Sequence, residues 1–436
     1  MTETIHISLH LEPAQQKTYH FLPFQVPAGV ECIGIRYQYD RRPEYIDTIG
    51  TGSFTDQSEV NVIDLGLIDP QGRQVGAAGS DKSNIMVSET SATPGYSPCP
   101  ILPGEWQIIV GAYKVADSGV DVIYEVTFNL KVPRWLKGDL HTHTIASDGV
   151  HTLDELAIKA KTHGLDFIAV TDHNQFTSSE QLPKNLGITL IPGVEWTHFN
   201  GHANFIGVDK PYDNAYVTGA EDEAKLKFGT ARTRGALITV NHPFDPSCSF
   251  LFDIQSLPFD CMEIWNGPMR ESNLKAVGFW HQLLCSGRKI PAVGGSDYHR
   301  DTPFIFLGGP TTSVYAESNG MSDILAALRS GHSFITFAPD GPVCEVTSGT
   351  AMMGDSVNFS KGNAIDGKIR ALHSGDVVRV VTNTSSDILF TAPADGTFNF
   401  TYEVKAPGFA RVEVLRSFLP GIPMLPALIS NPIFFV

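Results

Sequence analysis

The sequence is organised around one stretch, which reads Gly138-Asp139-Leu140-His141-Thr142-His143-Thr144-Ile145-Ala146-Ser147-Asp148-Gly149. Its two histidines are one residue apart, and side chains at that spacing on an extended segment point to the same side. One ion can therefore bind both imidazoles. Asp148 follows after a short loop and adds a hard oxygen donor, and this mixture of nitrogen and oxygen suits zinc, manganese or iron. Alternatively, backbone carbonyls satisfy both histidines at a strand end.

The residues that follow this stretch alternate between helical and extended patterns. Thr152 and Glu155 form a capping box, which predicts a helix that runs to His163. Predicted strands lie at 167–170, 189–191, 204–208, 237–240, 261–265, 290–293 and 333–336, and predicted helices at 222–234, 274–284 and 323–329. This alternation indicates parallel strands joined by helical crossovers, so we expect residues 135–338 to form a barrel.

The sequences on both sides of this region show strand patterns without helices. In residues 1–134, short alternating runs at 5–11, 34–39, 104–110 and 122–128 are separated by Pro, Gly, Asn and Asp, which predicts an all-β sandwich or jelly roll. In residues 339–436, runs at 378–381, 388–390, 397–404 and 411–415 predict a second, smaller β-sandwich. We therefore expect three domains in this α/β protein.

Composition limits the partners of the protein. The chain has 436 residues and a formal net charge of -16, which works against a nucleic-acid ligand because phosphate backbones are bound by clustered Lys and Arg. No signal-peptide pattern opens the sequence, and no run of eighteen apolar residues is present, so we expect a cytoplasmic protein without a membrane partner. The six cysteines contain no CxxC pair and predict neither a zinc knuckle nor a disulfide framework.

Residues of the metal-ligand type follow several of the predicted strands directly. His173 comes after strand 167–170, Glu195 after 189–191, His242 after 237–240, and Asp297 and His299 after 290–293. The carboxyl ends of parallel barrel strands meet at one mouth, where such folds place their chemistry. Histidines that were satisfied independently in the core would have no reason to prefer that end. The sequence therefore predicts one metal site at the barrel mouth.

These motifs resemble those of a known superfamily. The segments His141-Thr142-His143, Thr171-Asp172-His173, Gly193-Val194-Glu195, Asn241-His242-Pro243 and Gly295-Ser296-Asp297-Tyr298-His299 are similar, in order, to motifs of the PHP (polymerase and histidinol phosphatase) superfamily. Glu195-Trp196-Thr197 leading to Gly201-His202-Ala203-Asn204, and Glu263-Ile264-Trp265-Asn266-Gly267, resemble its CehA/McbA-like branch. The resemblance covers residues 135 to 338. It implies a distorted (β/α)7 barrel and a hydrolase that acts on phosphoesters or carbamate esters.

The resemblance also implies a set of metal ligands. A first ion would be held by His141, His143, Glu195 and Asp297. Glu195 would bridge to a second ion that is also bound by His202 and His242. Asp148, His173 and His299 would complete a third site, so up to three divalent ions (Mn, Zn or Fe) are expected per chain.

Other polar residues near these motifs have predicted supporting or catalytic roles. Asp172 and Asn174 are expected to orient the ligands, and Asp139 is expected to be structural. His198 is a candidate proton donor to the leaving group, with a surface histidine as the alternative. Arg300, next to His299, is a candidate for binding a substrate phosphate, with Arg270 as the comparable candidate. Trp196, Trp265 and Asn266 either line the pocket or pack in the core.

We therefore expect a metal-dependent hydrolase that attacks a small-molecule ester with a hydroxide that bridges the ions, and a phosphoester is the favoured substrate. A water shared by close cations loses a proton near neutral pH, and the same ions neutralise charge on the substrate oxygen. Alternatives are a carbamate or carboxyl ester hydrolase of the same fold, a metal-stabilised module that binds glycan or protein, and a proofreading-type nuclease. The acidic composition disfavours the nuclease.

Overall fold

The computed structural model describes residues 2–42, 59–213 and 215–436. The chain divides into two compact units. One comprises the residues up to Val132 together with Lys184–Gly187, and the other comprises Pro133–Pro183 and Ile188–Val436. The protein is a mixed α/β chain in which strands greatly outnumber helices. No helix of the described ranges is both long enough and apolar enough to cross a membrane.

The first unit is a sandwich of two antiparallel sheets. Its strands are β1 (Thr2–Leu11), β2 (Thr18–Val26), β3 (Val30–Gln38), β4 (Val62–Ile68), β5 (Gln74–Ala78), β6 (Asn84–Ser88), β7 (Gly104–Lys114) and β8 (Val120–Leu130). One four-stranded sheet has the order β1-β8-β3-β6 and the other β2-β7-β4-β5. The inward side chains of both sheets, such as Trp106 and Tyr124, are buried in one apolar core. The alternating runs at 5–11, 34–39, 104–110 and 122–128 therefore correspond to β1, β3, β7 and β8, whereas the sequence analysis did not predict the other four strands.

The second unit begins with the alternating region. Its elements are β9 (Arg134–Thr142), α1 (Leu153–Thr162), β10 (Phe167–Val170), β11 (Thr189–Ile191), β12 (Gly193–His198), β13 (Gly201–Ile206), α2 (Glu221–Thr233), β14 (Leu237–Val240), β15 (Cys261–Asn266), α3 (Glu271–Cys285), β16 (Ala292–Gly295), β17 (Thr311–Ala316), α4 (Met321–Ser330) and β18 (Ser333–Thr336). The capping box at the start of α1 is present, because Thr152 and Glu155 each bond the backbone N–H of the other. The sequence analysis missed β12 and β17.

The missed strands change the predicted barrel. Both pair in an antiparallel way, β12 with β13 and β17 with β9, so the strands are not uniformly parallel. Strands β12 to β16 form one sheet, while β11, β10, β9, β17 and β18 are consecutive in another. Within the described residues no continuous ladder closes these sheets into a barrel, but single bridges join Thr142 to Tyr298 and His173 to Glu195. These bridges bring the ligand-bearing ends of the two sheets together.

The remaining strands belong to the same compact unit. They are β19 (Val343–Ser348), β20 (Ala351–Met352), β21 (Ser356–Val357), β22 (Ala364–Leu372), β23 (Val377–Thr382), β24 (Ser386–Thr391), β25 (Gly396–Glu403), β26 (Gly408–Arg416), β27 (Leu425–Ser430) and β28 (Ile433–Phe435). Strand β27 pairs with β18, so one sheet runs from β11 to β24. The predicted boundary near residue 338 therefore lies within a continuous sheet. The division into three domains stays a prediction.

Candidate metal centre

Glu195 lies at the centre of a cluster of histidines. Its Oε1 is 3.2 Å from Nε2 of His141, 3.2 Å from Nδ1 of His202 and 3.3 Å from Nε2 of His242. Its Oε2 is 2.8 Å from Nδ1 of His173. The hairpin of β12 and β13 explains part of this arrangement, since Glu195 pairs with Asn204 and His202 is therefore its diagonal neighbour on the same face. The Glu195 side chain is fully buried among these rings.

Asp297 brings a second carboxylate to the same cluster. Its Oδ1 is 3.1 Å from Nε2 of His143 and 3.4 Å from Nε2 of His141. Gly295 makes this approach of β16 to β9 feasible, because a Cβ at that position would lie 2.5 Å from Cβ of His141. Asp297 itself has a left-handed backbone with φ of 52°, a conformation that Asp tolerates better than most residues. The backbone is thus bent at Asp297, just after strand β16 ends.

An outer group of potential ligands borders the buried cluster. Oδ1 of Asp148 is 3.0 Å from Nε2 of His299 and 3.7 Å from Nε2 of His173. Asp148 is the most accessible of these side chains, with 58% exposure, whereas His299 at 25% is about as accessible as Asp297 of the inner cluster at 27%. His143 also lies close enough to share an ion with all three of them. The outer group is therefore the side of the centre that faces solvent.

The residues fit a centre of divalent metal ions. Buried nitrogens such as Nε2 of His141, Nδ1 of His143 and Nδ1 of His202 lack a hydrogen bond of acceptable geometry with any described group. Buried polar atoms are normally paired, so this concentration of orphaned atoms indicates that they bind something else. Ligands about 2.1 Å from one ion lie roughly 3.0 to 3.5 Å apart, which matches most separations in the cluster. The donors are imidazole and carboxylate, the ligands of zinc, manganese and iron.

Electrostatics keeps the two central carboxylates charged. Burial alone would raise the pKa of Glu195, but His141 and the neighbouring imidazoles lower this pKa well below its ordinary value. Burial alone would also raise the pKa of Asp297. His141 is again the main cause that instead holds this pKa well below its usual range. Conversely, Asp297, Glu195 and Glu263 outweigh burial and raise the pKa of His141 well above normal. Metal binding would therefore displace a proton from His141.

Comparison with known proteins points to one domain family. Residues 139–238 match the PHP domain. A Vibrio campbellii protein named as a probable phosphatase is 27% identical over 194 residues, which cover 38% of this chain and 78% of that protein. An uncharacterized protein of Methanocaldococcus jannaschii is 28% identical over 153 residues, or 31% of this chain and 85% of that one.

A solved structure is also similar to this chain. It is a two-domain protein from Bacteroides vulgatus that contains a predicted PHP-like metal-dependent phosphoesterase. Its TM-score is 0.38 at 18% sequence identity, and the alignment covers 67% of this chain and 95% of that chain. The match to the CehA/McbA-like branch stays a prediction.

Residues to which the sequence analysis gave no role support the candidate ligands. Oε1 of Glu263 is 3.0 Å from Nδ1 of His141, and its Oε2 accepts a 2.9 Å hydrogen bond from the backbone N–H of His242. Asn241 donates to Oε1 of Glu195 at 2.8 Å. Such partners fix the orientation of ligand side chains. Glu263 lies in a segment already quoted for its resemblance, but only the fold brings it beneath His141.

Cys248 is also placed beside a ligand. Its Sγ is 3.4 Å from Nδ1 of His242, on the opposite side of the ring from Glu195. The turn that follows His242 explains this contact, since the Cys248 N–H donates to the Asp245 carbonyl and folds the chain back. The sequence analysis assigned no role to this thiol.

The predicted supporting residues lie close to the centre. Asp172 accepts hydrogen bonds from the Thr144 N–H and hydroxyl and from the Ser147 hydroxyl, each at 2.7 Å. It therefore holds the loop that carries Asp148 rather than an imidazole. Nδ2 of Asn174 donates a hydrogen bond to the Thr197 carbonyl, and Oδ1 of Asn174 accepts one from the Thr197 N–H. This contact fastens the segment after β10 to strand β12.

Asp139 is a structural residue in this geometry, as expected. It is fully buried and accepts hydrogen bonds from the backbone N–H groups of His141, Ser296 and Gly308. Its side chain thereby ties β9 to the strand end that carries Asp297.

His198 does not join the ligand cluster. Its Nε2 is 3.1 Å from the Thr218 carbonyl and its Nδ1 accepts a 3.0 Å hydrogen bond from the Asn200 N–H. The ring is buried and stacked on Trp196. Both ring nitrogens are thus occupied by the backbone, and this geometry gives no support to the predicted role as proton donor.

Arg300 and Arg270 occupy different environments. Arg300 is exposed and makes no hydrogen bond or ion pair with the described part of the chain. The neighbouring Asp301 pairs with Lys159 at 2.7 Å. Arg270 donates to Oδ1 of Asn266 at 3.0 Å. Asn266 in turn lies 3.3 Å from Oδ2 of Asp297, so Arg270 is connected to the centre through one side chain.

Proposed function

We propose that this protein is a metal-dependent hydrolase of small phosphoesters, built on a distorted (β/α)7 barrel of the PHP type. The observation that supports this most directly is the buried cluster around Glu195, in which several nitrogens have no hydrogen-bonding partner of their own. The match of residues 139–238 to the PHP domain supports the same class. The similarity to a probable phosphatase favours a phosphoester among the ester substrates.

We assign the ligands to three ions. His141, His143, Glu195 and Asp297 would hold the first. Glu195, His202 and His242 would hold the second. Asp148, His173 and His299 would hold the third, and the contacts among them at 3.0 and 3.7 Å favour a shared ion. This outermost group would lose its ion most readily, because Asp148 is the most exposed of the assigned ligands.

The chain contributes positioning, charge and access. When bound, divalent ions supply a water with a lowered pKa and neutralise charge on the ester oxygen. Glu263 accepts from Nδ1 of His141 and thereby keeps Nε2 turned toward the Glu195 and Asp297 carboxylates. Glu195 stays ionised among its histidines and balances their charge. Substrate would enter from the side of Asp148 and His299, where the centre is open to solvent.

Arg300 is the proposed group for the anionic part of the substrate. Guanidinium groups make paired, charge-assisted hydrogen bonds to two phosphate oxygens. Arg300 follows His299 directly, is exposed, and is not engaged by a carboxylate of the described residues. Arg270 is a weaker candidate since it already donates to Asn266 and lies 3.5 Å from Asp245.

The proposal is tested with the purified protein loaded separately with manganese, zinc or iron. We expect hydrolysis of p-nitrophenyl phosphate or its bis ester, and loss of that activity in Glu195→Gln. Turnover of an aryl carbamate alone would replace the phosphoester assignment with a carbamate hydrolase. No turnover of any ester at full metal occupancy, measured by elemental analysis, would show a metal-stabilised binding module instead.

A further inference from the structure

An apolar cavity of about 290 Å³ lies in the second unit, outside the ligand cluster. Its walls are mainly aromatic and come from Trp265, Met269, Phe304, Phe306, Phe337 and Phe418. No charged side chain lines it among the described residues. Phe304 is 75% exposed, so the cavity has an accessible edge.

The cavity adjoins the metal centre through two chain segments. One wall, which includes Trp265 and Met269, forms where the chain leaves the strand that carries Glu263. A second wall, with Phe304 and Phe306, follows the strand end that carries Asp297. Asn266, between the wall residues Trp265 and Gly267, has its Nδ2 3.3 Å from Oδ2 of Asp297. Two walls of the cavity are therefore formed by the chain at and after the ends of β15 and β16. The same two strand ends carry Glu263 and Asp297 of the metal centre.

Two of the wall residues, Phe306 and Trp265, are held in place by contacts within the chain. Phe306 rests against Gly309, where a Cβ would approach its ring to 2.6 Å, so only glycine permits this position of the ring. The indole N–H of Trp265 donates to the Gly267 carbonyl at 3.0 Å and closes the turn that forms the opposite wall. A cavity with preset walls loses little conformational entropy when it is filled.

The third wall combines Phe337, directly after β18, with Phe418, which follows β26. The rings of Phe337 and Phe418 pack edge to face with centroids 5.0 Å apart. The guanidinium of Arg416 lies 5.3 Å from the Phe337 ring and is itself held by Asp376 at 2.7 Å. The segments that follow β18 and β26 thus contribute two packed aromatic rings to this site.

Size and charge limit what the cavity can bind. Ligand pockets usually measure roughly 300 to 1,000 Å³, so this cavity can take one or two rings but not a polymer. Its lining offers no partner for a charged group, whereas Arg270 and Arg300 flank the ligand-bearing strand ends. A molecule that fills both places carries an apolar ring at one end and an anionic ester at the other.

We propose that this cavity binds the apolar, ring-containing alcohol part of the ester whose acidic part is bound at the metal centre. The inference rests on the proposed phosphoesterase function and specifies its substrate class as hydrophobic aryl or cycloalkyl phosphoesters. Because Phe304 is exposed, its removal tests the cavity without threatening the fold.

The experiment compares two substrates in three proteins. The substrates are 1-naphthyl phosphate and methyl phosphate, and the proteins are the wild type, Phe304→Ala and Phe21→Ala, which removes a similarly exposed ring from the N-terminal sandwich. We expect kcat/KM of Phe304→Ala to fall about tenfold for the naphthyl ester and less than about twofold for the methyl ester. Phe21→Ala should change neither value.

A second measurement separates this inference from the proposed function. Binding of 1-naphthyl phosphate to the metal-free protein is followed by calorimetry, and we expect Phe304→Ala to weaken it without any turnover being required. Naphthyl binding that depends on Phe304 in a protein that hydrolyses no ester would overturn the phosphoesterase but keep the ligand class of the cavity. Equal losses for both esters, or unchanged naphthyl binding, would overturn the cavity proposal. A changed oligomeric state of Phe304→Ala with an unchanged ratio of kcat/KM between the two esters would also overturn the cavity proposal. A second copy of the chain would then be the molecule that covers the cavity.

Discussion

At the scale of single residues, Glu195 connects the parts of the metal centre. Its two oxygens approach imidazoles on β9, on β13 and after β10 and β14, so one side chain spans both sheets. Glu263 and Asn241 act on the ligands from behind, through hydrogen bonds that fix ring and carboxylate orientation. Residues that form the cluster can therefore be distinguished from residues that only orient them. Substitutions of the two kinds should differ in effect.

Glu195→Gln should abolish hydrolysis and reduce the metal content of the purified protein. The amide keeps the size of the carboxylate but removes the charge that balances the surrounding histidines. Activity assays with elemental analysis check this prediction, and His141→Ala should behave in the same way. Full metal stoichiometry in an inactive Glu195→Gln protein would argue against Glu195 as a ligand. Circular dichroism serves as the control that the β-sheets remain folded.

Glu263→Gln should have a milder effect, with a loss of roughly tenfold to hundredfold in metal affinity or activity, the range for residues that orient ligands. Asp172→Asn should fall in the same range, because Asp172 holds the loop that carries Asp148. Metal titrations of both variants distinguish their roles. Glu263→Gln should weaken an inner ion and Asp172→Asn the outermost one. Complete loss of activity in either variant would place that residue among the ligands themselves.

Arg300→Ala should selectively impair anionic substrates. If Arg300 binds the phosphate, kcat/KM should fall by an amount equivalent to roughly 1.5 to 3 kcal/mol, the value of hydrogen bonds to charged groups. A neutral aryl carbamate, if it is turned over, should be nearly unaffected. Steady-state kinetics on both substrate types, with Arg270→Ala measured in parallel, make the comparison. Equal damage to both types would mean that Arg300 is a structural residue.

At the scale of secondary-structure elements, strand β26 carries a cluster of buried charged residues. This cluster is far in sequence from the candidate metal ligands. Glu413 is buried and forms ion pairs with Arg379 and with Arg411, which is itself almost fully buried. The Arg411 guanidinium also lies 5.0 Å from the Trp280 ring on α3. Burial would raise the pKa of Glu413, but Arg411 and Arg379 lower it below its ordinary value. The charges thus help to fasten β26 to its neighbours.

Glu413→Gln should destabilise the protein by about 3 to 5 kcal/mol at neutral pH, because it leaves a buried guanidinium unpaired. Since the pKa of Glu413 is lower in the folded state, its contribution is present above the unfolded value of about 4.3 and is lost as pH falls through the folded value. The difference from wild type should therefore shrink in acid. Urea unfolding at pH 7 and pH 3 checks this sign.

The pair of Glu345 and Arg370 is a matched control for the buried cluster. It lies on the surface, with 38% and 41% side-chain exposure. Glu345→Gln should cost no more than about 1 kcal/mol, as is usual for exposed ion pairs. Similar losses in both variants would mean that burial does not set the strength of the Glu413 cluster.

At the scale of the whole molecule, the sheet that carries His141 continues into the C-terminal strands. Strand β27 pairs with β18 through Phe334, Ile335 and Thr336. Phe334 is buried in a core made mainly of residues from β19 to β28. The region predicted as a separate C-terminal sandwich therefore shares both backbone hydrogen bonds and apolar packing with the region that holds the metal centre.

A fragment of residues 133–338 should consequently fail to fold as a stable monomer. It would leave β18 as an unpaired edge and expose the apolar side chains that β27 covers, which favours aggregation. The fragment 133–436 keeps this pairing and should be soluble. Size-exclusion chromatography and circular dichroism of the two fragments make the comparison. A monomeric 133–338 fragment with cooperative unfolding would show that the metal-binding region is an independent domain.

The sequence by itself identified the side chains of the candidate centre and most of the elements that carry them. Ligand-type residues near the ends of predicted strands predicted one site, and all the proposed ligands from His141 to His299 do lie together. Convergence of parallel strand ends does not account for Glu195, which lies within the antiparallel hairpin of β12 and β13. Local signals such as the capping box of α1 also specified their structure directly, since the contacts are between residues close in the chain.

Only the tertiary structure decided which distant residues touch. Glu263 bonds His141 across 122 residues, and no local pattern distinguishes this carboxylate from a solvated one. His198 looked available in the sequence, but the fold presents backbone groups to both of its ring nitrogens. Long-range packing also decides the pairing of β18 with β27 and the walls of the aromatic cavity. The sequences of these segments specify strands and loops but not which segments pack together.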